Sequence, residues 1–155
     1  MGSQRAIGRR SKSAASIDAL LVSIVDRLSR RLRAARRVCR TIVLRLRFDD
    51  LTRATRSHTL PQATAQTQTI LATARDLVSA ATPMIEARGI TLLGLTLTNL
   101  DHDGAIQLAF PLDSRWVPGL DAALDEVRDR FGTSAITRGV LLGRDEGLSV
   151  PLLPD

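Results

Sequence analysis

From Arg40 to Pro61 the chain reads RTIVLRLRFDDLTRATRSHTLP, and no other stretch restricts the fold as much. Ile42, Leu44, Leu46 and Phe48 alternate with Thr41, Val43, Arg45 and Arg47, the two-residue period of a strand that buries one side only. Asp49 and Asp50 supply a turn. A second, polar strand follows with Arg53, Thr55, Arg56, Ser57 and Thr59. The hairpin therefore has one face that must be covered and one charged face that cannot be core. Hydroxyls set between arginines suit a phosphate backbone, which accepts hydrogen bonds from both.

The flanking segments provide the cover. Residues 5–12, RAIGRRSK, read as a short basic strand. Ile17, Leu20, Leu21, Ile24, Val25, Leu28 and Leu32 then recur at helical spacing, which predicts an amphipathic helix to about Ala35, capped by Ser13 or Ser16. Its other face carries Arg27, Arg30, Arg31 and Arg33, read as a solvated charged surface. After a Thr- and Gln-rich loop, Ile70, Leu71, Ala74, Leu77, Val78 and Ala81 predict a second helix, which Pro83 ends or kinks and Gly89 closes. Residues 90–100, ITLLGLTLTNL, read as a strand with Leu93, Leu95 and Leu97 turned inward and Leu92, Gly94, Thr96 and Thr98 outward.

Strand, helix, strand, strand, helix, strand is an α+β order. It gives one four-stranded antiparallel sheet with both helices on one face and the arginine face open. The expected core joins Leu21, Ile24 and Leu28 to Leu44, Leu46, Leu77 and Leu95. Residues 1–4 read as a cloning remnant or linker, and residues 5–104 as the binding domain. Asp101 to Gly104 breaks the chain. Residues 105–155 read as a separate acidic tail with one helix, from Leu120 to Phe131, stopped by Gly132.

Charge divides along the same lines. Residues 1–60 hold 15 Lys+Arg and 4 Asp+Glu, or +11, while residues 61–155 hold 7 and 12, or −5, summing to the net +6. Such asymmetry assigns the first part an anionic partner and the last part a different task. Of the 22 basic residues all but Lys12 are arginine, whose fork suits phosphate oxygens; a GC-rich coding sequence favours arginine too. Cys39 is the single cysteine, which rules out an internal disulfide and fits a reducing cytosol. No apolar run approaches a membrane span, and the basic N-terminus lacks a secretory core.

Catalytic chemistry is hard to find. His58 and His102, the only histidines, fall in a strand and a turn without metal-ligand spacing. Asp49-Asp50 could bind a divalent ion, but at a hairpin tip it reads as a turn signal. There is no phosphate loop, dinucleotide fingerprint or Ser/His/Asp set. RNA-recognition domains of similar topology stack bases on aromatic side chains of the open face. Here there is no tyrosine, the one tryptophan lies outside the sheet, and Phe48 has core-facing parity. These features favour sequence-independent contact with a duplex backbone. An RNA- or ribosome-associated module of similar topology is the alternative, and an adaptor that binds only protein through the acidic tail is a third possibility.

The hairpin resembles RTVTLKLRFxDFxxxTRSRTLP of the little-finger domain in Y-family DNA polymerases of the polymerase IV type. LLGLTLTNL is similar to that family's RLLGVxLSGL strand, and the likeness covers about residues 5–112. It implies a domain that lies across the major groove beside the primer–template junction and helps hold a translesion polymerase on DNA. It also implies that the palm, fingers and thumb are absent here. The parent chain would be a DNA-directed DNA polymerase whose magnesium belongs to that missing part, and this fragment would have no cofactor and no catalytic residue of its own. By position, Gly8 and Arg9 match the family's backbone-contacting first strand, and Thr55, Arg56 and Ser57 match its TRS segment. Arg45, Arg47 and Arg53 complete the expected DNA-binding set, with alternation and turn register deciding which arginines share a face. His58 stands where the family has a second arginine. Thr91, Leu92 and Thr96 occupy a neighbourhood that often carries arginines.

Just beyond the last strand, QLAFPL occupies the place of the family's sliding-clamp peptide. The resemblance implies Gln107 at the rim of the clamp's pocket and Leu108, Phe110 and Leu112 as anchors, with the bacterial β subunit as partner. An edge strand or loop is the plain alternative. The apolar residues 150–153 are a second candidate peptide, or a strand of the tail. Primer–template DNA and the clamp are the expected partners, no membrane is expected, and the expected location is the nucleoid region of the cytoplasm.

Overall fold

A computed structural model describes residues 1–7, 13–103 and 119–143. In chain order the elements are β1 (Gly2–Ala6), α1 (Ala14–Ala34), β2 (Arg37–Arg47), β3 (Arg53–Thr64), α2 (Thr67–Arg88), β4 (Leu92–His102) and α3 (Leu120–Phe131), followed by a short 3-10 turn at Gly139–Leu141. The sheet order is β1-β4-β2-β3, and every neighbouring pair is antiparallel. This is the α+β architecture expected from the alternation of periods.

Each layer follows from its residues. Ser13 caps α1, accepting from the Ser16 amide at 3.2 Å. Below α1 and α2, Ile42, Leu44, Phe48, Leu93, Leu95 and Leu97 are fully buried, and Leu46 nearly so. Leu21, Ile24 and Leu28 of α1 meet them, while Leu77 sits at the margin, half-buried. Full burial of one such side chain contributes about 1.5–3 kcal/mol. A bulge between Cys39 and Thr41 shifts the β2 register, so Val38 and Cys39 are both buried although adjacent.

Several expectations need correction. The first strand runs from Gly2 to Ala6, and residues 2–4, expected to be a remnant or linker, pair with β4 from Gly2 opposite Thr96 to Gln4 opposite Gly94; residues 8–12 of the expected basic strand lie outside the described residues. The Met1 amine also donates to the Leu97 carbonyl at 2.9 Å. Pro83 does not end α2, which continues to Arg88. Ala81 and Ile85 are buried on either side of the proline, and their packing outweighs the hydrogen bond it removes. His102 lies at the end of β4, not in a turn.

Of the acidic tail, residues 119–143 are described, and they contact α1. α3, rather than solvent alone, covers the arginine face of α1. Asp129 pairs with Arg30 at 2.5 Å and Asp125 with Arg33 at 2.6 Å. Asp26 of α1 receives Arg128 at 2.9 Å and Arg138 at 3.2 Å.

Candidate nucleic-acid interface

Residues directly opposite in an antiparallel ladder point to the same side of the sheet, so the register sorts the candidate residues. Arg47 stands opposite Arg53 and Leu92, and Arg45 opposite Thr55 and Gly94. Val43 stands opposite Ser57 and Thr96, and Thr41 opposite Thr59 and Thr98. These four rows form the face away from the helices. Arg45, Arg53, Thr55 and Ser57 are exposed, and Arg47 is half-buried. The structure thus brings together Arg45, Arg47, Arg53, Thr55 and Ser57, with all three arginines in the two rows nearest the hairpin tip.

Arg56 is on the other side. It stands opposite Leu44, and His58 opposite Ile42, so both leave β3 toward the helix layer. Both are nevertheless exposed, because β3 is the edge strand. Gly8 and Arg9 lie outside the described residues, as do Gln107, Leu108, Phe110 and Leu112.

The cationic end of the face is held in place. Arg47 Nε donates to Thr91 Oγ1 at 3.2 Å, and that hydroxyl donates to the carbonyls of Arg47 at 3.2 Å and Phe48 at 3.3 Å. A methyl group at Gly94 would lie 3.1 Å from Cβ of Gln4 and 3.7 Å from Cβ of Arg45; glycine here keeps the sheet low beside Arg45. At the tip Arg88 of α2 donates to Asp50 Oδ2 at 2.6 and 3.1 Å and to the Thr52 hydroxyl, while its guanidinium covers the Phe48 ring at 4.7 Å. The Thr52 hydroxyl bond and the Arg88 fork hold the Asp50 carboxyl down at about 2.

The far end of the face is neutral. Thr41 and Thr59 share a hydrogen bond at 3.0 Å, and Asn99 Nδ2 donates to Thr41 Oγ1 at 2.8 Å. Among the described residues no group of three or more His, Cys, Asp or Glu is placed to hold a metal ion. Cys39 is buried, and burial pushes its thiol up to about 11, which leaves it protonated and unreactive. Also among the described residues, no helix is long and apolar enough to cross a membrane.

Sequence reasoning missed two functional details. One is the Thr91 prop under Arg47, which connects residues 44 positions apart and left no local signal. The other is the pairing of α3 with α1. Asp121, Asp125 and Asp129 recur every four residues, a signal for an acidic helix face that was available and unused.

The fold and the face define a class: an α+β domain whose one-sided antiparallel sheet presents arginines and hydroxyls. Residues 1–110 match the model of the impB/mucB/samB family C-terminal domain, and the chain belongs to this C-terminal, little-finger family of the Y-family DNA polymerases. DNA polymerase IV 2 of Mesorhizobium japonicum is 34% identical over 153 residues, covering 90% of this chain and 37% of the relative. DNA polymerase IV of Clostridium acetobutylicum is 29% identical over 133 residues, covering 84% of this chain and 33% of the relative. The chain therefore spans about a third of the length of these curated relatives. Among solved structures, a complex of a β-clamp processivity factor with the little finger domain of PolIV aligns at TM-score 0.51 and 24% identity, over 72% of this chain and 97% of that one. An insertion ternary complex of Dbh DNA polymerase aligns at TM-score 0.52 and 13% identity, over 64% of this chain and 28% of that one. At these identities the structural matches establish the fold.

Proposed function

We propose that this chain is the DNA-gripping little finger of an error-prone translesion DNA polymerase, which lays its open sheet face on the backbone of the primer–template duplex. The observation that carries the proposal is the convergence of Arg45, Arg47 and Arg53 on one solvent-facing surface, with Thr55 and Ser57 beside them. Three cations on one face, flanked by hydroxyls, bind phosphates through charge and hydrogen bonds and read no base. Nucleotidyl transfer, with its magnesium, is assigned to the part of the parent chain that the curated relatives have and this chain does not span. Gly8 and Arg9 extend the contact as backbone-binding positions of the first-strand segment. The working location is the nucleoid region of the cytoplasm.

The domain also docks on the bacterial sliding clamp through Gln107, Leu108, Phe110 and Leu112. A solved little finger that aligns with this chain is in complex with a β-clamp processivity factor, which supports this assignment. The anchors are uncharged, so clamp binding depends little on salt. Replacing Gln107, Leu108 and Phe110 together with alanine should abolish clamp binding and leave DNA binding intact. Retained clamp binding would move the site, with residues 150–153 as the next candidate.

The test of the DNA face is a titration against duplex at several salt concentrations. The domain should bind with a Kd on the order of 10⁻⁴ to 10⁻⁶ M and little sequence preference. Each phosphate contact contributes about 0.9 to the slope of log affinity on log salt. Arg45→Ala with Arg53→Ala should thus flatten the slope by about 1.8, whereas Arg56→Ala should change it by less than one contact. An unchanged slope in the double variant would remove the sheet face from the interface. Tighter binding to folded RNA than to the duplex would replace DNA as the ligand.

A further inference from the structure

The contact between α3 and α1 is made of charge. A helix that packs permanently buries an apolar stripe, but the one buried residue of α3 is Arg128. Leu120 and Phe131 are 56% and 67% exposed, and Leu124 and Val127 are half-buried. What holds the helix is the row Asp121, Asp125 and Asp129, together with Arg128, which pairs with Asp26 of α1 at 2.9 Å. Asp125 takes both arms of Arg33, at 2.6 and 3.0 Å, Asp129 takes Arg30 at 2.5 Å, and Asp121 lies 3.3 Å from Arg33. Partly exposed ion pairs of this kind are screened by salt and open to competition from other anions.

Beneath α3 lie Arg30 and Arg33, with Asp26 one turn earlier, and residues 30–37, which also include Arg31, Arg36 and Arg37, contain no acid. Arg31, Arg36 and Arg37 are exposed already. Arg33 is held independently of α3, since it also donates to the Ala65 carbonyl at 3.0 Å and the Thr67 hydroxyl at 2.9 Å. It would stay in position after Asp125 left. Arg30 and Arg33 belong to the helix layer, so this surface is distinct from the open sheet face.

We propose that α3 is an acidic cover on a second polyanion-binding surface, and that the phosphate backbone of duplex DNA displaces it to reach Arg30, Arg31, Arg33, Arg36 and Arg37. The cover suppresses binding on the helix side until a high local concentration of phosphate, such as a duplex already held on the sheet face, competes it away.

The experiment compares two double variants of the full chain that make the same change in net charge. Asp125→Asn/Asp129→Asn weakens the cover and leaves Asp121 in place. Asp76→Asn/Glu86→Gln neutralises two exposed acids of α2. Each is titrated with a short blunt duplex between about 50 and 200 mM salt. The cover variant should bind roughly ten-fold more tightly than its control at the low end, with a slope steeper by about 1.8 for two added phosphate contacts. The gain should persist in an Arg45→Ala/Arg53→Ala background, in which the sheet face is weakened. In the unmutated chain, amide exchange across residues 120–131 should accelerate when duplex is added. Equal gains in the two doubles, a gain that vanishes in the sheet-face background, or unchanged exchange of α3 would each overturn the proposal.

Discussion

Asp50 links the hairpin tip to the end of α2 through Thr52 and Arg88. Its carboxyl titrates at about 2 in the folded chain against 3.8 ordinarily, so the folded state favours the ionised form. The stabilisation from this link is therefore complete above the ordinary value and is lost as pH falls toward about 2. Asp50→Asn should lower the thermal midpoint at neutral pH, with the two proteins converging near pH 2. Parallel midpoint curves across that range would mean that the link adds no pH-dependent stability. Gly89, next in the chain after Arg88, takes φ of 65°, and a Cβ there would lie 2.3 Å from Asp49 Oδ2. The tip and the helix end meet closely at this glycine because no side chain intervenes.

Among the elements, α2 carries the clearest tension between local preference and packing. Proline in a helix interior costs about 3 kcal/mol relative to alanine, yet α2 spans Pro83 because Ala81 and Ile85 are seated in the core. Pro83 is exposed, so Pro83→Ala removes the misfit without opening a cavity. Urea unfolding should show a gain of up to about 3 kcal/mol; a loss would mean that the proline itself helps to seat Ile85. The same contrast explains what could be read beforehand. Strand parity and both helices were legible because they are local periods, and Leu44, Leu46, Leu93 and Leu95 all face the core as their alternation requires. The partner of each β3 residue was not legible, because it depends on the path of the turn, where Leu51 takes φ of 65°. The resemblance places Arg56 in the binding set with Thr55 and Ser57, but opposite Leu44 it leaves the sheet on the helix side. Nor could periodicity locate a partner for Arg33, since Asp125 lies 92 residues away.

For the whole molecule, one core joins the sheet to both helices, so damage at its centre should be felt everywhere. Leu46 is 2% exposed, and Leu46→Ala should cost about 2–5 kcal/mol, read as a single cooperative transition. Leu46→Arg should prevent stable folding, because the layer beneath the sheet offers no partner for a buried charge. A shift below about 1 kcal/mol for the alanine variant would contradict the packing described here.

The position of β3 at the end of the sheet has a consequence for self-association. A long strand with one unpaired side is a template on which a second copy could add, and natural sheets deter this with charge and proline along that edge. β3 carries Arg53, Arg56 and Pro61 there, and most of its residues are exposed. Like charges would face each other if two such edges met. Arg53, assigned to the nucleic acid, therefore also helps to keep copies of the domain apart, with Arg56 acting on the other side of the same edge, and a chain stripped of both would trade weaker binding for a stickier edge.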